Sequence, residues 1–139
     1  MRYLVIGGWA AIAHGLPRTT LDVDIFVQPA EENVQRLIGA LSKVGFGIAK
    51  ELTPGEILSR PAFLFSDQIR VDIFVRPWGL DDFEGSYARR WEAVFDSVRI
   101  PFVSVEDLIK TKETGMEQDI ADVRALRRLK NLPPGAQGK

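Results

Sequence analysis

The chain has 139 residues, 45% of them hydrophobic and 27% charged, and a formal net charge of −1. This is enough for one soluble domain with its own core, and it excludes an overall basic signature for nucleic acid, so any such contact must come from a local patch. There is no cysteine and one histidine, which excludes disulfides, thiolate metal sites and a multi-histidine zinc site. No apolar run approaches the ~20 residues of a membrane span, and the N-terminus lacks a signal-peptide pattern. A cytoplasmic protein without a membrane contact is expected.

Tyr3 to Ile6 reads as a short buried strand that runs into the Gly7-Gly8 turn. Trp9 to His14 is apolar and helix-compatible, with Gly15 as its stop and Pro17 beyond. Arg18-Thr19-Thr20 leads into a strand from Leu21 to Val27, which Pro29 ends. Glu31 to Val44 is an amphipathic helix: Val34, Leu37, Ile38, Leu41 and Val44 recur at three- and four-residue steps. An extended segment is expected over Ile48 to Leu52 and a turn at Thr53-Pro54-Gly55. Ala62 to Phe65 and Ile69 to Val75 form a hairpin around Ser66-Asp67-Gln68.

Pro77 to Gly85 is read as a loop and Tyr87 to Phe95 as a short helix or turn. Val98 to Val103 is read as an edge strand because of Pro101. Ser104, followed by Glu106 and Asp107, has the pattern of an N-cap with an acidic first turn, and that helix stops at Gly115. A last helix covers Gln118 to Leu129. The organisation expected is one domain over 1–130 and a flexible tail over 131–139. Alternating strands and helices with one hairpin give an α+β (two-layer α/β) class, a mixed sheet with helices mainly on one face. The other face is free to carry a polar site.

The chemistry concentrates on two stretches. In Leu21-Asp22-Val23-Asp24-Ile25, side chains alternate, so Asp22 and Asp24 share one face, roughly 6–7 Å apart along the strand, while Val23 and Ile25 face the core. Such a pair calls for a cation, and Mg²⁺ (or Mn²⁺) takes oxygen ligands together with substrate phosphates. Asp72, in Arg70-Val71-Asp72-Ile73-Phe74, supplies a third carboxylate from a separate strand. The Gly7-Gly8-Trp9 turn has room for close approach, and its N–H groups can face an anion. A phosphate seat and a metal seat on adjacent strands point to a nucleotide site. Three convergent carboxylates can polarise a phosphoryl group and activate a hydroxyl.

This set, Gly7-Gly8-Trp9, then Asp22-Val23-Asp24, then Asp72, resembles the DNA polymerase β-like nucleotidyltransferase superfamily. More narrowly, Gly7-Gly8-Trp9-Ala10 with His14-Gly15, Arg18, Thr20 and the Asp pair resembles its small, minimal members of the abortive-infection and toxin–antitoxin type. Val105 to Lys112 and Gln118 to Val123 resemble that group's C-terminal helical pair. The resemblance spans roughly residues 3 to 130. It implies the nucleotidyltransferase fold and Mg²⁺-dependent transfer of a nucleoside monophosphate from an NTP, such as ATP, to an acceptor hydroxyl, with pyrophosphate leaving. Asp22 and Asp24 would hold the metal, with Asp72 as third ligand and activator of the acceptor. Gly7, Gly8 and Trp9 would cradle phosphates.

Arg18 and Lys112 are further candidates for phosphate contact. The acceptor implied is RNA, such as a tRNA end, or a protein side chain, with a cognate antitoxin as partner and a homodimer allowed. Tryptophan at position 9 also occurs in the antibiotic-modifying branch, where a small molecule (aminoglycoside or lincosamide) accepts the nucleotide. A non-catalytic nucleotide- or partner-binding module is the third reading. His14 reads as a packed structural residue, Asp119 and Asp122 as a solvated or salt-bridged helix face, and the Trp and Phe residues mostly as core. Arg124, Arg127, Arg128 and Lys130 form a basic face that could bind RNA or simply complement the helix C-terminus.

Overall fold

The computed structural model describes residues 1–67 and 69–131. Apart from Asn131, the expected tail over 131–139 lies outside the described residues, as does Gln68 of the hairpin turn. The chain order is β1 (Tyr3–Ile6), α1 (Gly7–Ala13), β2 (Asp22–Val27), α2 (Glu31–Lys43), a 3₁₀ turn (Gly47–Glu51), α3 (Pro54–Leu58), β3 (Ala62–Ser66), β4 (Arg70–Phe74), α4 (Phe83–Ala88), β5 (Trp91–Phe95), β6 (Val98–Phe102), α5 (Val105–Lys112) and α6 (Glu117–Lys130).

The six strands form one mixed sheet in the order β3-β4-β2-β1-β6-β5. Strand β2 runs antiparallel to β1 and parallel to β4, so the α+β mixed-sheet expectation holds. The strand alternation sorts the core. Val27, Val71, Ile73 and Val75 pack against Val34, Leu37, Ile38 and Leu41 of α2. That is the amphipathic stripe read from the sequence except for Val44, which caps the helix and is exposed. Leu4, Ile6 and Phe26 point the opposite way, into a second cluster with Phe83, Leu108, Val123 and Leu126. Helices α4 to α6 thus add a second packing layer beyond the sequence reading. The stretch of this face that carries Asp22, Asp24 and Asp72 is left uncovered by that cluster. No helix among the described residues is long and apolar enough to cross a membrane.

Four local expectations are corrected. Ile48 to Leu52 is a 3₁₀ turn, not an extended segment. The Thr53-Pro54-Gly55 turn opens α3: Glu56 N–H donates to Thr53 Oγ1 at 3.2 Å and Thr53 N–H to Glu56 Oε1 at 3.0 Å. The Thr-x-x-Glu capping box and the proline at the helix start were a readable signal for this helix. Residues 83–95 hold a helix and then a strand, because the hairpin β5–β6 closes through Asp96 and Ser97, both with positive φ (48° and 67°), as a tight two-residue turn demands. Strand β6 is consequently interior rather than an edge. Pro101 is tolerated there because β6 meets β1 in register only at Val5↔Phe102.

Candidate active site

Register builds the site. Strands β2 and β4 place Asp24 directly opposite Asp72, and Asp22 opposite Arg70. All four side chains therefore leave the sheet on one face. Ile6 lies opposite Asp24 on the other flank, so Gly7 is the first residue past the strand beside that carboxylate. Its φ is +68°, and a β-carbon there would collide with Asp24. Glycine is required twice over, by backbone conformation and by space. Gly8 is also tight: a β-carbon would sit 2.9 Å from Thr20.

Two of the three carboxylates share one guanidinium. Arg70 donates from Nε to Asp72 Oδ1 at 3.0 Å and from Nη2 to Asp72 Oδ2 at 3.2 Å. The same Nε is 3.9 Å from Asp22 Oδ2. Asp24 has no such partner. Burial, then the charges of Asp72 and Asp22, push its pKa up from 3.8 to about 6, and a hydrogen bond with Asp72 adds to this; Arg70 pulls weakly the other way. The oxygen-only donor set suits a hard divalent cation. Among the described residues no three His, Cys, Asp or Glu side chains are gathered as a metal-binding group, and Arg70 is the cation beside Asp22 and Asp72. The donor chemistry and the facing register fit Mg²⁺ or Mn²⁺ once that arginine gives way.

Asp24 and Gly7 open into a cleft of about 210 Å³, also lined by Ile6, Phe74, Trp78, Lys112 and Asp119. The structure thus brings Lys112 to the same cleft as Gly7 and Asp24. Lys112 Nζ donates to Asp122 Oδ2 at 2.9 Å, and Arg18 Nη1 donates to the same oxygen at 2.6 Å. Gln118 Nε2 completes the set on Asp122 Oδ1 at 3.1 Å. Buried Asp122 therefore ties the loop before β2 to the ends of α5 and α6, which makes it the salt-bridged residue expected. Trp9, in contrast, turns its side chain toward an apolar groove lined with Val5, Ile12, Val23 and Phe102. Only its backbone remains a candidate for the phosphate seat. His14 is buried and donates from Nε2 to the Val103 carbonyl at 2.7 Å. Burial lowers its pKa, which fits the structural role assigned to it.

No protein-family model matches the chain, and no curated protein sequence matches it either. Solved structures do. The lincomycin-bound lincosamide antibiotic adenylyltransferase LnuA aligns over 91% of this chain and 86% of its own, at 18% identity and a TM-score of 0.52. An antigenic nucleotidyltransferase-like protein from Paracoccidioides brasiliensis aligns over 91% of this chain and 67% of its own, at 17% identity and a TM-score of 0.56. The chain has the nucleotidyltransferase fold. Within that fold the sequence reading missed two site residues. Arg70 was signalled by its place two residues before Asp72, hence on the same strand face. Trp78 had no periodic signal, since it sits in a turn.

Proposed function

We propose that this chain is a metal-dependent nucleotidyltransferase, moving a nucleoside monophosphate from an NTP to an acceptor hydroxyl. The observation that carries the reading is the facing of Asp24 and Asp72 on adjacent parallel strands, with Asp22 beside them. Three carboxylates against one arginine leave an excess of negative charge that a protein does not keep without a use. A bound divalent cation would supply Lewis-acid polarisation of the phosphoryl group and a lowered pKa for the attacking hydroxyl.

The chain's own residues do the rest. Asp22 and Asp24 would hold the cation, with Asp72 as its third ligand. Asp72 also orients the acceptor hydroxyl and takes its proton. Gly7, Gly8 and the Trp9 N–H leave room for the phosphates and face them. Lys112, which lines the cleft, is the cation offered to the leaving pyrophosphate, and Arg18 shares its partner Asp122. Most of the catalysis is in-line positioning and charge neutralisation.

For the acceptor, the resemblance of the sequence to minimal nucleotidyltransferases supports RNA or a protein side chain, in a toxin–antitoxin or phage-defence setting. A small cationic antibiotic is the second reading, and the likeness to a lincomycin-bound adenylyltransferase favours it. A label-transfer assay decides. Each NTP, labelled at the α-phosphate, is mixed with the protein and Mg²⁺ or Mn²⁺. Total RNA, the protein itself, cell extract and an aminoglycoside–lincosamide panel serve as acceptors. Label that depends on Asp22 and Asp24 establishes the transferase and its acceptor class. No transfer and no metal-dependent nucleotide binding would leave a non-catalytic module.

A further inference from the structure

Trp78 is the most exposed tryptophan of the chain, at 68% against 42% for Trp9 and 40% for Trp91. Trp91 packs at a tilt against both His14 and Phe102. Trp78 makes no ring or cation–π contact among the described residues. Yet it is not on a loose loop. Pro77 to Leu80 is a turn closed by Leu80 N–H to the Pro77 carbonyl at 3.2 Å. Gly79 has φ +83°, as the third position of a type II turn requires. A β-carbon at Gly79 would collide with the Lys110 carbonyl, so the turn is pressed against the backbone of α5. Leu80 is buried in the core. Proline before the indole, glycine after it and a buried leucine beyond fix the ring's base.

The fixed ring lines the same cleft as Gly7, Asp24 and Lys112. Resting on the reading of that cleft as a nucleotide site, we infer that Trp78 is the stacking platform for the nucleobase of the NTP. A cleft that holds phosphates at its glycine and lysine wall presents the other end of the same molecule to its remaining wall. That wall is a flat, solvated, preorganised aromatic face. Stacking on it is tolerant of base identity, because every base has a π-face. The platform therefore supplies affinity for nucleotides as a class.

The test uses the full chain with Mn²⁺ and compares two probes, ATP and inorganic tripolyphosphate, by titration calorimetry. Trp78→Ala should weaken ATP binding by about 5- to 100-fold and leave tripolyphosphate within about twofold. Trp78→Phe should recover most of the loss, and thermal melting confirms that both variants fold. In a Trp9→Phe/Trp91→Phe background, ATP should quench the remaining indole emission and tripolyphosphate should not. Weakening of neither probe overturns the inference while leaving the phosphate site intact, and equal weakening of both overturns it by assigning the ring to support of the phosphate seat. So does unchanged ATP affinity with impaired transfer, which would assign the ring to the acceptor. Wild-type protein that binds neither probe overturns the nucleotide reading itself.

Discussion

Two clusters of carboxylates in this molecule are built on opposite rules. Asp107 is fully buried, and Arg89 and Lys110 both reach it, the arginine through two bonds of 2.9 and 3.2 Å. Asp122 is buried and held by Arg18, Lys112 and Gln118. Each of these carboxylates has two cations to itself. At the sheet face, Asp22 and Asp72 share Arg70, and Asp24 beside them has no ion-pair partner among the described residues. Over-compensated acids lock helices together, whereas under-compensated acids leave an unmet demand for positive charge. The comparison predicts that substitutions in the two regions fail in different currencies. Asp72→Asn should cut label transfer by about 10³-fold, the scale of losing a general base and ligand. Its thermal unfolding should stay close to wild type. Asp107→Asn should do the reverse, costing about 2 kcal/mol of stability. Its residual folded protein should keep its transfer rate. A variant of Asp72 that unfolds, or of Asp107 that is stable but inactive, breaks the distinction.

The second prediction concerns stability against pH. Asp24 has a folded pKa of about 6 against an ordinary 3.8. Between these values the folded state keeps a proton that the unfolded chain has released. Stability attributable to this group is therefore present at low pH and lost as pH rises from about 4 through about 6. Asp24→Asn removes the charge but keeps the shape. It should raise stability by about 1–2 kcal/mol at pH 8, a figure already reduced for solvent screening, and by nothing near pH 4. Transfer should be abolished at both. Denaturant unfolding of the pair at the two pH values reads the difference, and a pH-independent gap would mean that Asp24 is not strained by its neighbours. Such a trade of stability for activity is what the proposed cation site would entail.

The sequence made the acid half of this comparison legible and hid the other half. Strand alternation puts Asp22 and Asp24 on one face without any tertiary information, and Asp72 stands out because it interrupts Val71 and Ile73. The order β4-β2-β1, which brings Asp72 opposite Asp24, depends on long-range pairing that no local pattern encodes. Local signals that compete were misjudged: Pro101 spoke for an edge strand, but a two-residue turn at Asp96-Ser97 supplied another strand outside it. Asp122 was legible as one of two helix acids, and its burial was not. One of its partners there is Arg18, 104 residues away. Trp78 had the composition of core and the position of a surface, and only the turn geometry at Gly79 separates these.

The smallest effect expected is also the most direct test of what Arg70 does. It is half-exposed, and among the described residues its guanidinium is held by Asp72 and by the more distant Asp22. Removing it costs the fold little, because exposed ion pairs contribute about 0–1 kcal/mol. Removing it also leaves Asp22 and Asp72, like Asp24, without an ion-pair partner among the described residues. Arg70→Gln should therefore bind Mn²⁺ more tightly, by about three- to tenfold at low salt, since the ion no longer displaces a paired arginine and meets one more unit of negative charge. The gain should shrink at high salt. Calorimetric titration of the free protein reads this without any nucleotide. Weaker Mn²⁺ binding in Arg70→Gln would mean that the arginine holds Asp72 in place for the metal, and the contrast between paired and under-compensated acids would then rest on Asp24 alone.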